Sequence, residues 1–307
     1  MGKTAFIFPG QGAQYVGMGA DFYETYKEAK EVFDIAGEAT GLDMKALCFE
    51  ENEKLNQTEY TQVAMLATEL AILKCVEASG IKADVTAGLS LGEYGALACA
   101  QVMSPEDCFR VVRKRGLYMQ EAYPKGGAMV AVLGTDTRLI ETICEETPGI
   151  VSVANYNCPG QIVITGEEAA VNAAVEKLKE AGAKRCIPLK VSGPFHSQLL
   201  AGAGDKLEAE LEGVQLKKPI IPYVTNVDAS YVTTTDRIKE LLTRQVSGSV
   251  RWQQSVELML QNGVDTFVEI GPGKTLSGFM KKINKDVKVL NIEKVEDLEN
   301  AKEALLC

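Results

Sequence analysis

Residues 84 to 96 read DVTAGLSLGEYGA, and the change of pattern within this stretch decides the fold. Val85, Thr86 and Ala87 predict a short buried strand, while Leu91, Tyr94, Leu97 and Ala98 recur at helical spacing. Between them, Gly88-Leu-Ser90-Leu-Gly92 fits the G-x-S-x-G elbow. A turn that tight leaves room only for glycine on either side of the serine, whose hydroxyl stands exposed at the start of a helix. The N–H groups there can receive an oxyanion. Glycines at 88, 92 and 95 would also let a helix pack closely on a strand with no chemistry implied. The strand before and the helix after favour the elbow.

Outward from this stretch the chain alternates. A strand over 4–8 runs into Pro9-Gly10-Gln11-Gly12, and helices are expected over 21–37 and 61–78. Gly10-x-Gly12 lacks the third glycine of a dinucleotide fingerprint, because Tyr15 stands there. Ser104 and Pro105 start the next helix as cap and first residue. From 126 to 191 the texture changes to strand 127–134, helix 137–147, strands 150–155 and 160–165, helix 167–181 and strand 185–191. That is β-α-β-β-α-β, the ferredoxin-like order, and it predicts a small inserted domain. The larger domain, 1–125 and 192–307, resumes with a helix over 198–212 and a strand over 220–225. Helices over 236–246 and 252–262 lead to strands at 264–270 and 287–292, each followed by a helix. Near-continuous apolar strands alternating with helices predict an α/β fold with a mostly parallel sheet covered on both faces. Gly271-Pro-Gly-Lys-Thr275 is no phosphate loop, since Val268 occupies the place of its first glycine.

A chain of 307 residues, 46% hydrophobic and 24% charged, can bury a sizeable core. No apolar run is long enough to span a membrane, and the start, MGKTAFIF, has no signal-peptide pattern. A cytoplasmic monomer is expected. The eight cysteines, from Cys48 to Cys307, are scattered without a C-x-x-C pair, so reduced thiols and no metal site are expected. A net charge of −10 argues against nucleic acid or an anionic membrane as partner.

A serine needs a base, and the chain has one histidine, His196, in Val191-Ser-Gly-Pro-Phe-His-Ser197 at the exit of the inserted segment. Lone histidines are usually bystanders, but a rigid Gly/Pro loop at a domain junction favours pairing Ser90 with His196. Arg115 shares a helix face with Cys108, Val111, Val112, Tyr118, Met119 and Ala122, so it points inward, whereas Arg113 is expected on the solvated side. A buried guanidinium must be paired. It meets either a structural Asp or Glu or the carboxylate of a substrate, and spacing alone leaves both open.

Six motifs now line up: Phe8-Pro-Gly-Gln-Gly-Ala-Gln14, Gly88-Leu-Ser-Leu-Gly-Glu-Tyr94, Arg115-Gly116, Asn155-Tyr-Asn-Cys-Pro-Gly-Gln161, Pro194-Phe-His-Ser197 and Glu269-Ile-Gly-Pro-Gly273. In this order, over nearly the whole chain, they resemble the malonyl-CoA:acyl-carrier-protein transacylases of bacterial fatty-acid synthesis. The resemblance implies an α/β-hydrolase-like core with a ferredoxin-like insert and a site between them. It implies Ser90 as nucleophile, His196 as base, Arg115 as clamp on the malonyl carboxylate, and the N–H groups of Gln11 and Leu91 as oxyanion hole. The backbone carbonyl of Gln245 would orient the histidine, Gln62 and Asn157 would line the pocket, and Phe195 would exclude a branch at C2. Leu89 departs from the pattern, which has histidine before the serine.

The implied partners are malonyl-CoA and acyl carrier protein, in a ping-pong transfer through a malonyl-serine that needs no cofactor. A trans-acting acyltransferase of a polyketide synthase would share this chemistry with another carrier. A serine esterase or thioesterase would need no carboxylate fork, and an inactive carrier-binding module would not need the serine.

Overall fold

The computed structural model describes residues 2–191 and 193–306. Ser192, which opens the second half of the expected large domain, and Cys307 lie outside the described residues. Among these the strands are, in chain order, β1 (Lys3–Phe8), β2 (Val85–Gly88), β3 (Gly127–Leu133), β4 (Val151–Cys158), β5 (Gln161–Glu167), β6 (Arg185–Pro188), β7 (Tyr223–Val224), β8 (Tyr231–Val232), β9 (Val264–Ile270) and β10 (Lys288–Ile292). Six form one sheet in the order β10-β9-β1-β2-β7-β8, and four form a second in the order β4-β5-β3-β6. The first is parallel except at β7–β8, and the second is antiparallel throughout.

The apolar runs of β1 and β2 are explained by burial on both faces. Along β1, Phe6 and Phe8 enter one core while Ala5 and Ile7 enter the other, the two-residue alternation of a strand. The second sheet packs the helices Thr137–Glu145 and Glu168–Glu180 around Ile140, Val153, Ile164 and Val171. Register then positions the site. Phe8 lies beside Gly88, and Ile7 beside Glu269, so the loops that leave β1, β2 and β9 emerge together at the carboxyl ends of parallel strands. That is where α/β sheets open a crevice. The second sheet is tied to the segment that precedes the helix Trp252–Gln261 by Tyr156 N–H to Val250 O at 2.9 Å and Val250 N–H to Ala154 O at 2.8 Å.

Several expectations need correction. The helix expected over 21–37 is two, Ala20–Thr25 and Lys27–Thr40, because Tyr26 is extended and stacks on Phe22. The strand expected over 220–225 shrinks to β7, since Pro222 has no N–H to give a ladder and Thr225 N–H turns to Ser230 O. Arg113 is not on a solvated face; it pairs with Glu59 at 2.7 Å and lies over the Tyr60 ring. The described cysteines are all free, and no described helix is long and apolar enough to cross a membrane.

One buried acid stands out. Glu69, on the helix Thr58–Ala78, is fully buried, and neither carboxyl oxygen has a hydrogen-bond partner among the described residues. Burial, with the nearby Glu269 adding to it, holds its pKa well above the ordinary 4.5. Glu269 by contrast accepts from Leu276 N–H, Ser277 N–H and the Ser277 hydroxyl. Glu69 is therefore folded as the neutral acid. Above pH 4.5 the unfolded chain releases a proton that the folded chain keeps, so stability is lost as pH rises. Glu69→Gln removes that loss. Its Tm gain over wild type should be larger at pH 8 than at pH 5.5. A gain that is the same at both values would show that Glu69 is not held neutral.

Candidate functional site

Ser90 sits between β2 and the helix Gly92–Cys99 with φ of 54°. For an L residue this left-handed conformation costs about 1–2 kcal/mol, so the surroundings must impose it. They do. A side chain on Gly88 would run into the carbonyl of Gly92, and one on Gly92 into the carbonyl of Phe8. Helix and strands are thus pressed together to a distance only glycine permits, with the serine forced outward.

His196 also has a positive φ, 60°, and its ring is buried. Nε2 stands 2.7 Å from Ser90 Oγ. Nδ1 faces two backbone carbonyls, Gln245 O at 2.8 Å and Gly248 O at 3.2 Å. Carbonyls only accept, so Nδ1 carries the proton and Nε2 is left to accept from the serine hydroxyl. Burial, then the charge of Arg115, lowers the histidine pKa to about 4, so at neutral pH the ring is neutral and Nε2 is free to accept a proton. No carboxylate touches the ring among the described residues; two backbone dipoles orient it instead.

Arg115 is completely buried on the helix Pro105–Ala122. Nη1 donates to Gln62 Oε1 at 2.7 Å, and Nη2 donates to Gln245 Oε1 at 2.9 Å and to Ser90 Oγ at 3.2 Å. All three acceptors are neutral, and Nε has no partner among the described residues. Of the two readings open in the sequence, a structural ion pair does not form among the described residues. Burial pulls the guanidinium pKa down, while Tyr94 and Glu93 pull it back up. A desolvated cation with an unused donor, beside the Ser90 hydroxyl, can receive an anion.

Ser90 and His196 open on a cavity of about 260 Å³ between the two sheets. Gln11, Gln62, Leu89 and Leu91 line one side, Met129, Asn157 and Val163 the other, and Phe195 stands next to the histidine. Leu89, where histidine was expected from the resemblance, contributes an apolar wall. The backbone N–H groups of Gln11 and Leu91 make no hydrogen bond among the described residues, and Leu91 caps the helix N-terminus. These donors are free for an oxygen that develops charge. Among the described residues no group of three His, Cys, Asp or Glu side chains could hold a metal.

Reasoning from sequence missed two residues. Asn226 accepts from Ser90 N–H at 2.6 Å and donates to Gly88 O at 2.6 Å. Glu93 accepts from Gln245 Nε2 at 2.7 Å. Asn226 lies in a loop with no motif around it. Glu93 stands in the first turn of a helix, where an acid is ordinary, and only its burial marks it out.

The chain matches the family described as "Acyl transferase domain" over residues 5–301. It is 45% identical over 310 residues to the malonyl CoA-acyl carrier protein transacylase of Bacillus subtilis strain 168, covering 99% of this chain and 98% of that one. A malonyl CoA-acyl carrier protein transacylase from Clostridium perfringens superposes with a TM-score of 0.96 at 48% identity, over 99% and 97% of the two chains. A malonyl-transacylase solved in complex with its holo type II PKS acyl-carrier protein superposes with a TM-score of 0.95 at 41% identity, over 98% and 99%.

Proposed function

We propose, since this chain belongs to the acyl transferase family, that it moves a malonyl group from malonyl-CoA to the phosphopantetheine thiol of acyl carrier protein. The observation that carries this reading is Arg115, a buried cation without a carboxylate partner among the described residues, 3.2 Å from the hydroxyl of a serine that is itself paired with histidine. A neutral acyl group would leave that charge unanswered; malonyl supplies the carboxylate.

Ser90 Oγ attacks the thioester carbon as its proton passes to His196 Nε2. The oxyanion is received by the N–H groups of Gln11 and Leu91. Collapse expels coenzyme A thiolate, which takes the proton from the imidazolium and leaves malonyl-serine. The carrier thiol then gives its proton to His196 and attacks the ester in the reverse sense. Gln62 and Gln245 hold the guanidinium, the Gln245 and Gly248 carbonyls hold the imidazole, and Asn157 and Phe195 form pocket wall. A cleft between two sheets keeps water from the ester. The reaction calls on no cofactor.

The domain division belongs to the same proposal. Residues 126–191 form a ferredoxin-like insert, supported by the β-α-β-β-α-β order and the β4-β5-β3-β6 sheet, in an α/β-hydrolase-like unit of 1–125 and 192–307. We place a monomeric protein in the cytoplasm, where free cysteines are the rule. A second reading, a polyketide carrier as acceptor, is favoured by the relative solved with such a carrier.

Brief mixing with malonyl-CoA, without carrier, should add one malonyl group to the protein by intact mass, and holo-carrier should then remove it. Ser90→Ala should acquire none. Labelling that persists in Ser90→Ala, or none in wild type, defeats the assignment.

A further inference from the structure

Ser90 holds a conformation that L residues avoid, and amides tie down both of its peptide groups. Its N–H donates to Asn226 Oδ1 at 2.6 Å, and its carbonyl accepts from Gln245 Nε2 at 2.9 Å. Both amide-bearing residues lead to one carboxylate. Glu93 Oε2 accepts from Gln245 Nε2 at 2.7 Å and from the backbone N–H of Asn226 at 3.2 Å. Glu93 is completely buried and does not line the cavity.

A primary amide fits its site either way round, and its neighbours choose. A carboxylate oxygen facing a backbone N–H and an amide acts as acceptor, so Glu93 turns the NH2 end of Gln245 toward itself. The carbonyl end then meets Arg115 Nη2 at 2.9 Å. Reversed, the amide would set acceptor against acceptor at Glu93 and donor against donor at the guanidinium. The same choice supplies the hydrogen that reaches Ser90 O. The backbone carbonyl of Gln245 meanwhile holds His196 Nδ1–H.

We infer that Glu93 is a positioning residue, which fixes Gln245 and Asn226 and through them the Ser90 backbone and the Arg115 fork. This rests on the acyl transfer proposed above for its malonyl readout, and on the Ser90–His196 geometry alone for its labelling readout. Without Glu93 the elbow loses its anchor, and the fork loses the acceptor that aims it.

Two variants test this. Glu93→Gln keeps the shape and removes the charge; Glu93→Met keeps the bulk and removes the acceptor. The first readout is the rate at which a fluorophosphonate labels Ser90, which does not depend on the natural acyl group. The second is the ratio of kcat/KM for malonyl-CoA to that for acetyl-CoA. Burial raises the Glu93 pKa to about 7, so both readouts are taken at pH 8, where the carboxylate is ionised. An amide oxygen can still accept from Gln245 Nε2 and Asn226 N–H but without the charge, so Glu93→Gln should slow labelling and lower the ratio by about fivefold each, and Glu93→Met, which removes the acceptor, by about tenfold or more. Thermal unfolding of Glu93→Gln should stay cooperative. Labelling and ratio both within twofold of wild type in Glu93→Gln overturn the inference, and Glu93→Gln decides alone if Glu93→Met does not fold. If wild type takes fluorophosphonate at Ser90 but never malonyl, the proposed substrate fails and the labelling readout still judges Glu93.

Discussion

Malonyl transfer by His196→Ala should fall by about a thousandfold or more at pH 7.5, because the serine loses the base it is hydrogen-bonded to. The accompanying pH profile is distinctive. An ordinary histidine protonates near 6.5, whereas burial and the Arg115 charge hold His196 down to about 4. Wild-type kcat/KM for malonyl-CoA, which reports the free enzyme, should stay level from pH 8 to below 6 and fall only as pH approaches 4. An acid limb at 6.5 would mean that the ring is not desolvated, and would remove the argument for a preset base. Stability carries the same signature. Between pH 6.5 and 4 the unfolded chain binds a proton on this histidine that the folded chain refuses, so the ring's contribution is lost as pH falls through that window. Because the chain has a single histidine, imidazole NMR reads this titration without assignment.

The neutral ring also explains how the site works without a triad carboxylate. A buried carboxylate beside His196 would raise the imidazole pKa, and Arg115 would be drawn toward it. Backbone carbonyls orient the ring without adding a charge that competes with the substrate for the guanidinium. In the proposed transfer, that economy ties the base to the clamp: the cation proposed to meet the acyl carboxylate also helps to keep the histidine unprotonated.

How much of this was legible varies with the physics. The elbow was readable because its constraint is local: Gly88 and Gly92 cannot be anything else where a helix, β1 and β2 close in. The β-α-β-β-α-β order was readable because each element is long enough to show its period. Arg115 could be placed on a buried face by counting, but its partners could not, since Gln62 and Gln245 lie 53 and 130 residues away. Asn226 carries no local pattern, and Glu93, although it lies in the Gly88–Tyr94 motif, has no spacing that shows what it does. Their roles arise from a carboxylate and two amides meeting in space, which no spacing encodes. Short elements were misjudged for the same reason: β7 was expected longer and β8 not at all, since each has two residues fixed by their ladder rather than by periodicity.

Arg115→Ala should reduce kcat/KM for malonyl-CoA by several hundredfold and that for acetyl-CoA far less. Losing one member of a desolvated charge pair is worth about 3–5 kcal/mol, and each 1.4 kcal/mol is a factor of ten. Only malonyl forms such a pair. Acetyl leaves the guanidinium buried and unanswered, so wild type should discriminate against it and the variant should not. The arginine has a second role that must be separated. It donates to Ser90 Oγ and depresses the His196 pKa, so its removal returns the histidine toward its ordinary value. Measured at pH 8, where the ring is neutral either way, the change in malonyl-to-acetyl ratio isolates the carboxylate contact. Phe195 supplies the companion test. It is buried beside His196 and lines the cavity, so Phe195→Ser opens room at C2 without touching the cation. Methylmalonyl should gain on malonyl in that variant while the preference over acetyl persists. If Arg115→Ala instead slows malonyl and acetyl equally, the guanidinium holds the fold rather than the substrate, and the site has no charge-based selection.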